Sequence, residues 1–199
     1  MDPTATPVPV VLEGRHVRLE PLLMDHLGDL LAGGLDPELW RWSPDPVRDA
    51  DDLRRWVERA LDEARRRAAL PFAIVELEGG RAVGSTRYGS LAPEHRRLEI
   101  GWTWIARPWQ RTAINTETKW LLLRHAFEEL GCHRVEFKTD ALNARSRAAL
   151  ARIGAREEGT LRRHMVTADG RVRDTVYYAV VAEEWPAVRA GLERKLGWS

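Results

Sequence analysis

Thiols are almost missing from this chain of 199 residues, in which Cys132 is the single cysteine. An intrachain disulfide and any cysteine-based metal cluster are therefore excluded. Cys132 follows a helix-stopping glycine and precedes a strand, the setting of a buried structural thiol. The six histidines show no H-x-x-x-H spacing and no paired His/Asp cluster, so no metal site is expected. No apolar run reaches the roughly eighteen residues of a membrane helix, and no charged-then-apolar leader opens the chain. The expected location is the cytoplasm, with no membrane involved. Charge of one sign is lacking too. There are 31 basic residues against 30 acidic ones, a formal net charge of +1. No bulk field calls for nucleic acid, and no direct nucleic-acid binding is expected. Lysine is scarce, since 28 of the 31 basic residues are arginine. That bias reads as GC-rich coding rather than phosphate recognition.

What is present is the patterning of one domain. This length suits a single well-buried domain better than two. Residues 1–11, with Pro3, Pro7 and Pro9, read as a flexible N-terminal arm, and 12–199 as one domain. A strand is expected at His16–Pro21. Helices follow at Met24–Ala32, ended by Gly33-Gly34, and at Ala50–Arg67, where Leu53, Trp56, Val57, Ala60, Leu61 and Ala64 form one apolar stripe. Leu35–Asp49 between them reads as a loop. Phe72–Glu78 and Arg81–Leu91 form a hairpin turning at Gly79-Gly80. Further on come a strand at Arg134–Thr139, a helix ending at Ile153, two long strands at Gly159–Thr167 and Arg171–Val181, and a last helix at Glu183–Leu196. The order predicts an α/β sandwich on a central, mixed but mostly antiparallel sheet of about seven strands flanked by helices.

The densest information lies at the centre. An apolar strand, Leu98–Ile105, is closed by Arg107-Pro108 and followed by Trp109-Gln110-Arg111-Thr112-Ala113-Ile114-Asn115-Thr116-Glu117. A helix pattern then places Trp120, Leu123, Phe127 and Leu130 on one face and stops at Gly131. A strand that turns abruptly into a helix leaves unpaired N–H groups at the helix start. With the helix dipole behind them, they make an anion site suited to a phosphate. A phosphate-bearing cofactor held mostly by backbone is the expectation.

About thirty residues later Asp140-Ala141-Leu142-Asn143-Ala144-Arg145-Ser146-Arg147 opens a second helix that ends in Ile153-Gly154-Ala155. Strand, phosphate turn, helix, strand, then N-x-x-S on a short helix resembles the GNAT acetyltransferase superfamily, and more narrowly its RimJ/RimL-like branch. The turn Asp169-Gly170, the strand Arg173–Val180 and Glu184-Trp185-Pro186 agree with it. The likeness runs from about Arg15 to about Leu192 and rests on the ordered set, not on one motif. It implies a GNAT fold and an acetyl-CoA-dependent N-acetyltransferase. The acceptor amine would attack the thioester directly, with no covalent enzyme intermediate and no metal. A protein N-terminal α-amine, of the ribosomal-protein kind, is the implied acceptor. A small-molecule amine acetyltransferase and a non-catalytic acyl-CoA-binding module are the rivals. The long terminal hairpin offers edges through which a homodimer could form.

One departure stands out. The superfamily's loop usually reads Q/R-x-x-G-x-G/A, and relatives of this branch carry W-G-x-G-x-A-x-E. Here Arg111 and Ala113 stand where glycines are usual, and Asn115 where a small residue is usual. Glycine permits close backbone approach to a pyrophosphate, whereas Arg111 brings a guanidinium and Thr112 and Asn115 bring donors. The segment resembles a subgroup with W-x-R-T-x-x-N-T-E, a variant loop. In that reading Arg111, Thr112, Ala113, Ile114, Asn115 and Thr116 hold the pyrophosphate.

Several residues carry two readings each. Glu99 is either a strand carboxylate paired with an arginine such as Arg87 or Arg97, or the group that orients the attacking amine. An α-amine with a pKa of about 8 is already about one-tenth neutral at pH 7, so a positioning carboxylate suffices. Gly101 inside a strand suggests a bulge or a close ligand approach. The resemblance implies that backbone N–H groups at Trp104 and Ile105 meet the thioester carbonyl. It also implies that Asn143 bonds the pantetheine and that Ser146 returns a proton to the leaving sulfur, since Leu150 stands where many relatives have tyrosine. Read from the residues alone, Asn143 is a helix N-cap and Ser146 a first-turn residue. Trp40, Trp42, Tyr88, Trp102 and Tyr178 could line an acceptor pocket, although core packing is the commoner fate of such rings. Trp40 and Trp42 have the better claim, being in a loop.

Overall fold

The computed structural model describes residues 7–198, so most of the arm expected over 1–11 lies outside the described residues. In chain order the elements are β1 (Leu12–Glu13), β2 (Val17–Pro21), α1 (Leu27–Gly34), α2 (Pro37–Trp40), α3 (Ala50–Arg65), β3 (Leu70–Glu76) and β4 (Ala82–Ala92). Then follow β5 (Arg97–Ile105), α4 (Ala113–Arg124), β6 (Arg134–Asp140), α5 (Ala144–Arg152), β7 (Arg156–Val166), β8 (Val172–Val181) and α6 (Trp185–Leu196). The strands form one eight-stranded sheet in the order β1-β2-β3-β4-β5-β6-β8-β7. Only β5 and β6 run parallel; every other neighbouring pair is antiparallel. The mixed, mostly antiparallel sheet is as expected, with one more strand. The addition is β1, whose two residues are too few to show alternation.

Two apolar layers cover the sheet. On one face Phe72, Tyr88, Leu98, Ile100 and Phe137 pack with Leu121, Leu122 and Leu123 of α4 and with Trp185, Val188 and Leu192 of α6. Three successive leucines are buried because α4 is enclosed by the sheet and α6, so its apolar surface runs round the helix. Each contributes roughly 1.5–3 kcal/mol by leaving water. On the other face Trp40, Leu53, Trp56, Val57, Ala60, Val75 and Trp104 form a second core beneath α1 and α3. The expected stripe of α3 is this contact.

Three local expectations are corrected. The first helix does not stop before Gly33-Gly34 but includes both. A Cβ at Gly33 would stand 2.4 Å from that of Ala106, and one at Gly34 would stand 2.9 Å from the Trp104 ring, so these glycines allow close packing. The expected loop Leu35–Asp49 contains α2, begun by an Asp36 side chain that accepts from the Glu38 N–H with Pro37 in the first turn. The helix after the phosphate turn loosens into a π-helical turn at His125–Glu129 before Gly131. Cys132 is buried, and burial pushes its thiol up to about 11, which leaves it inert as a nucleophile. No helix among the described residues is long and apolar enough to cross a membrane.

Candidate active site

The sheet parts near its middle. β5 and β6 pair only over Arg97–Glu99 and Arg134–Glu136. Beyond that, β5 continues against β4 to Ile105 and β6 continues against β8 to Asp140, without pairing to each other. The result is a fork whose inner edges carry backbone groups free for another partner. A bulge sharpens it: the β4–β5 register shifts between Ser85 and Arg87, and Trp102 adopts a left-handed φ of 51°. The irregularity expected at Gly101 thus falls on its neighbour, where a side chain makes it cost roughly 1–2 kcal/mol. Gly89 makes room for the displaced indole, since a Cβ there would lie 2.4 Å from Trp102 Cζ3.

Ala106 N–H donates to Val83 O at 2.8 Å. Alternation along the antiparallel ladder therefore turns the Trp104 N–H toward β4 and the Ile105 N–H toward the fork. Gln110 Nε2, donating to Ile105 O at 2.7 Å, approaches from that open side. Of the two backbone donors expected here, Ile105 faces the fork and Trp104 does not.

The chain then makes a 3-10 turn at Arg107–Trp109 and reaches Arg111, whose φ of 64° is left-handed. The backbone keeps a glycine-like conformation on an arginine. Thr112 is the N-cap of α4: its Oγ1 accepts from Ile114 N–H at 3.3 Å and donates to Trp109 O at 2.7 Å. Two expected phosphate contacts are committed elsewhere. The Ile114 N–H belongs to the cap and its side chain to the core, and the buried Thr116 hydroxyl accepts from Arg152 at 3.2 Å. Arg111 and Thr112 are exposed, and Ala113 and Asn115 half-buried. Glu117, central to the sequence motif, is fully buried and accepts the backbone N–H groups of Arg15 and His16. It ties the β1–β2 turn to α4.

Asn143 caps α5 as its residue type predicted, its Oδ1 accepting from Ser146 N–H at 3.0 Å. Both residues are half-buried at the end of the β6 arm. Glu99 points away from its core neighbours Leu98 and Ile100, toward the face that carries α1 and α3. Its partner is not an arginine. Lys138 Nζ lies 2.8 Å from its Oε2, and Ser90 Oγ donates to the same oxygen at 2.8 Å. Arg87 pairs instead with Glu63, and Arg97 with Glu136. Burial pulls the Lys138 ammonium down, but the hydrogen bond and charge of Glu99 outweigh it and leave it raised.

The aromatic residues divide. Tyr88 is wholly buried and donates to Leu122 O at 2.6 Å, so it belongs to the core beneath α4 rather than to a pocket. Tyr178 is core too, its hydroxyl hydrogen-bonded to Glu157. Trp40 packs edge-on against Trp56 and at a tilt against Trp104, and donates to Gly34 O at 2.7 Å. It also lines a cavity of about 400 Å³ between the α2–α3 connection and the β7–β8 turn. Arg41, Arg48, Asp169 and Arg171 line that cavity. Trp42, half-buried, has Arg41 and Arg171 over its ring at 5.2 and 5.5 Å. Trp102 is 43% exposed.

Residues 16–156 match the acetyltransferase (GNAT) domain family. The chain belongs to the GNAT acetyltransferase family. The crystal structure of a putative acetyltransferase from T. thermophilus shares 41% identity, with a TM-score of 0.87 over 96% of this chain and 98% of that one. Mycobacterium smegmatis RimJ, solved with CoA-disulfide, shares 28% identity with a TM-score of 0.77, covering 99% and 98%. The Bacillus subtilis (strain 168) protein named "Putative ribosomal N-acetyltransferase YdaF" is 36% identical over 109 residues, 55% of this chain and 58% of that protein. The chain thus spans little more than half the length of that curated relative. These neighbours agree with the RimJ/RimL-like branch.

In this GNAT chain a CoA-type ligand suits the residues present. The inner edge at Ile105 turns a backbone N–H into the fork, and the left-handed turn at Arg111 leads into the N–H groups at the start of α4. Arg145 of α5 donates to Gln110 Oε1 at 3.1 Å, bringing a second guanidinium to the turn. Sequence reasoning missed Arg145, although its place two residues after the Asn143 cap was a usable signal. It also missed Lys138, Arg171 and the buried Lys119, which gain meaning only from what the fold sets beside them.

Proposed function

We propose that this GNAT protein transfers an acetyl group from acetyl-CoA to a primary amine, and that its acceptor is a protein N-terminal α-amine. The observation that carries the reading is the fork between β5 and β6 running directly into the left-handed, cap-headed start of α4. When bound, acetyl-CoA supplies the acetyl group already activated as a thioester. The Arg111 and Arg145 guanidiniums, with the helix-start N–H groups near Thr112, Ala113 and Asn115, hold its phosphates. The Ile105 edge and Asn143 align the extended arm. Glu99, fixed by Lys138 and Ser90, accepts a hydrogen bond from the incoming amine and orients it, which is where much of the rate of a two-substrate transfer originates. The Ser146 hydroxyl on the first turn of α5 returns a proton at the sulfur.

The name of the B. subtilis relative, a putative ribosomal N-acetyltransferase, supports a ribosomal protein as acceptor. A polycationic acceptor such as an aminoglycoside needs several carboxylates. The cavity beside the fork instead presents Arg41, Arg48 and Arg171 against Asp169. Mixing the purified protein with acetyl-CoA, a panel of peptides and small amines, and a thiol reagent tests the reading. Release of CoA with an α-amine peptide is expected. Binding of acetyl-CoA without release by any amine would make the protein an acyl-CoA-binding module. The edge strand β7 is the surface through which a homodimer would pair, and sedimentation with and without a β7 proline checks it.

A further inference from the structure

Only three lysines occur among 31 basic residues, and two of them, Lys119 and Lys138, approach the strands of the fork. Lys138 has Glu99 as partner. Lys119 does not have one. It lies on α4 with 6% of its surface exposed, and among the described residues no carboxylate comes within ion-pair distance. Its Nζ donates to Thr103 Oγ1 at 2.8 Å and lies 6.0 Å from the Phe137 ring centroid. Thr103 belongs to the unpaired arm of β5, and Phe137 is the first residue of β6 beyond the last paired one. The amine therefore stands where the two strands part. Thr103 Oγ1 is also 2.8 Å from Thr86 Oγ1, so the groups around the amine are hydroxyls and a ring, with no counter-charge.

Burying an unpaired ammonium is expensive, and an apolar side chain of similar length would serve the packing better. Nothing in the fold needs a cation here. The transfer does: the acceptor nitrogen bonds to the acetyl carbon, the carbon–sulfur bond breaks, its electron pair leaves on sulfur, and the surplus proton of the amine departs. Negative charge thus gathers inside the fork as the reaction proceeds. Resting on the function proposed above, we infer that Lys119 is a positioning residue for that transfer, holding through Thr103 a positive end toward the place where the sulfur becomes charged. Desolvation alone lowers its ammonium to about 7, so the group is poised to take a proton when an anion forms beside it.

The test compares the full-length parent with Lys119→Met and Lys119→Gln. Without ligand, Lys119→Met is expected to melt at or above the parent temperature. With acetyl-CoA and a competent amine, kcat should fall about tenfold to a hundredfold while KM for acetyl-CoA stays within about twofold, because the help is needed only as charge develops. In the CoA complex, titration of the thiol by thiolate absorbance should end about one unit higher in the variants than in the parent. An unchanged thiol titration overturns the inference, whatever happens to turnover. So does a fall in kcat that tracks a fall in melting temperature in both variants. Where no amine is acetylated but the thiol titration still shifts, the charge site stands and the transferase reading falls. A protein that binds no CoA overturns both.

Discussion

On the β5–α4 side of the fork most of the groups available to a ligand belong to the backbone: the Ile105 edge, the left-handed turn at Arg111 and the head of α4, with the Arg111 and Arg145 guanidiniums beside them. Across from it, on the α2–α3 connection and the β7–β8 turn, they are charged side chains: Arg41, Arg48, Asp169 and Arg171, with Trp42 between guanidiniums. A backbone site accepts any ligand that carries the same chain of phosphate and amide groups, and side-chain changes alter it less than shifts of the backbone do. A side-chain site is read residue by residue, so in the function proposed here it is where acceptor choice would be set. Glu99 and Lys119 lie between the two, each pointing a polar group at the strands of the fork from opposite faces of the sheet.

If the first side depends on backbone, the largest loss should come from moving backbone. A Cβ at Gly84 would stand 2.2 Å from Trp104 O and 3.0 Å from Ile105 Cα. Gly84→Ala should destabilise the protein by about 3 kcal/mol and weaken acetyl-CoA binding at the same time. Denaturant melts that match the parent would show that β4 does not hold the β5 arm.

The buried amine comes next. Lys119 is lowered from 10.5 to about 7 by burial. Between those values the unfolded chain binds a proton that the folded chain does not, so stability rises with pH across that window. The gain approaches about 1.4 kcal/mol per unit for this group alone. Plotted against Lys119→Met, the parent should gain on the variant from pH 7 upward. A constant difference would mean the amine is solvated.

Glu99→Gln removes the charge facing Lys138 and keeps a hydrogen-bonding group. Turnover should drop tenfold to a hundredfold, roughly the scale of one positioned proton-transfer group. With an α-amine acceptor the parent profile should climb with pH and level near the amine's own pKa of about 8. A variant as fast as the parent at every pH would return Glu99 to the role of a strand carboxylate.

Arg111→Gly sets conformation against charge. The left-handed residue relaxes, raising stability by about 1 kcal/mol. Losing a charge-assisted contact should weaken CoA binding about tenfold by calorimetry. Unchanged CoA affinity would place the phosphates elsewhere. The smallest effect belongs to the exposed Arg48. Arg48→Ala should shift the preference for acidic over basic peptide acceptors about threefold, the scale of an exposed ion pair. Equal use of both peptide types by the parent would remove the cavity from acceptor choice.

Much of this was legible in the chain. The alternation of Leu98–Ile105, the abrupt strand-to-helix turn after Arg107-Pro108 and the N-x-x-S of Asn143 and Ser146 are local signals, and local backbone geometry follows from them. The two-residue strand β1 and the four-residue helix α2 were not legible, because neither is long enough to show a period. Trp40, with the better claim, and Tyr88 were both candidates for a pocket. Their burial depends on α3 and α4, which lie elsewhere in sequence.

By itself, then, the sequence determined the order of the longer elements, the abrupt strand-to-helix turn before α4 and the capped start of α5, since each is written within a few neighbouring residues. The tertiary structure alone decided that β5 and β6 part after three residues, that Lys138 rather than an arginine meets Glu99, and that Lys119 lies beneath the fork with Thr103 as its partner and no carboxylate in reach among the described residues. Those facts depend on contacts between residues from 16 to 39 positions apart, whose side chains carry no mark of the partner they will meet until the sheet and helices close around them.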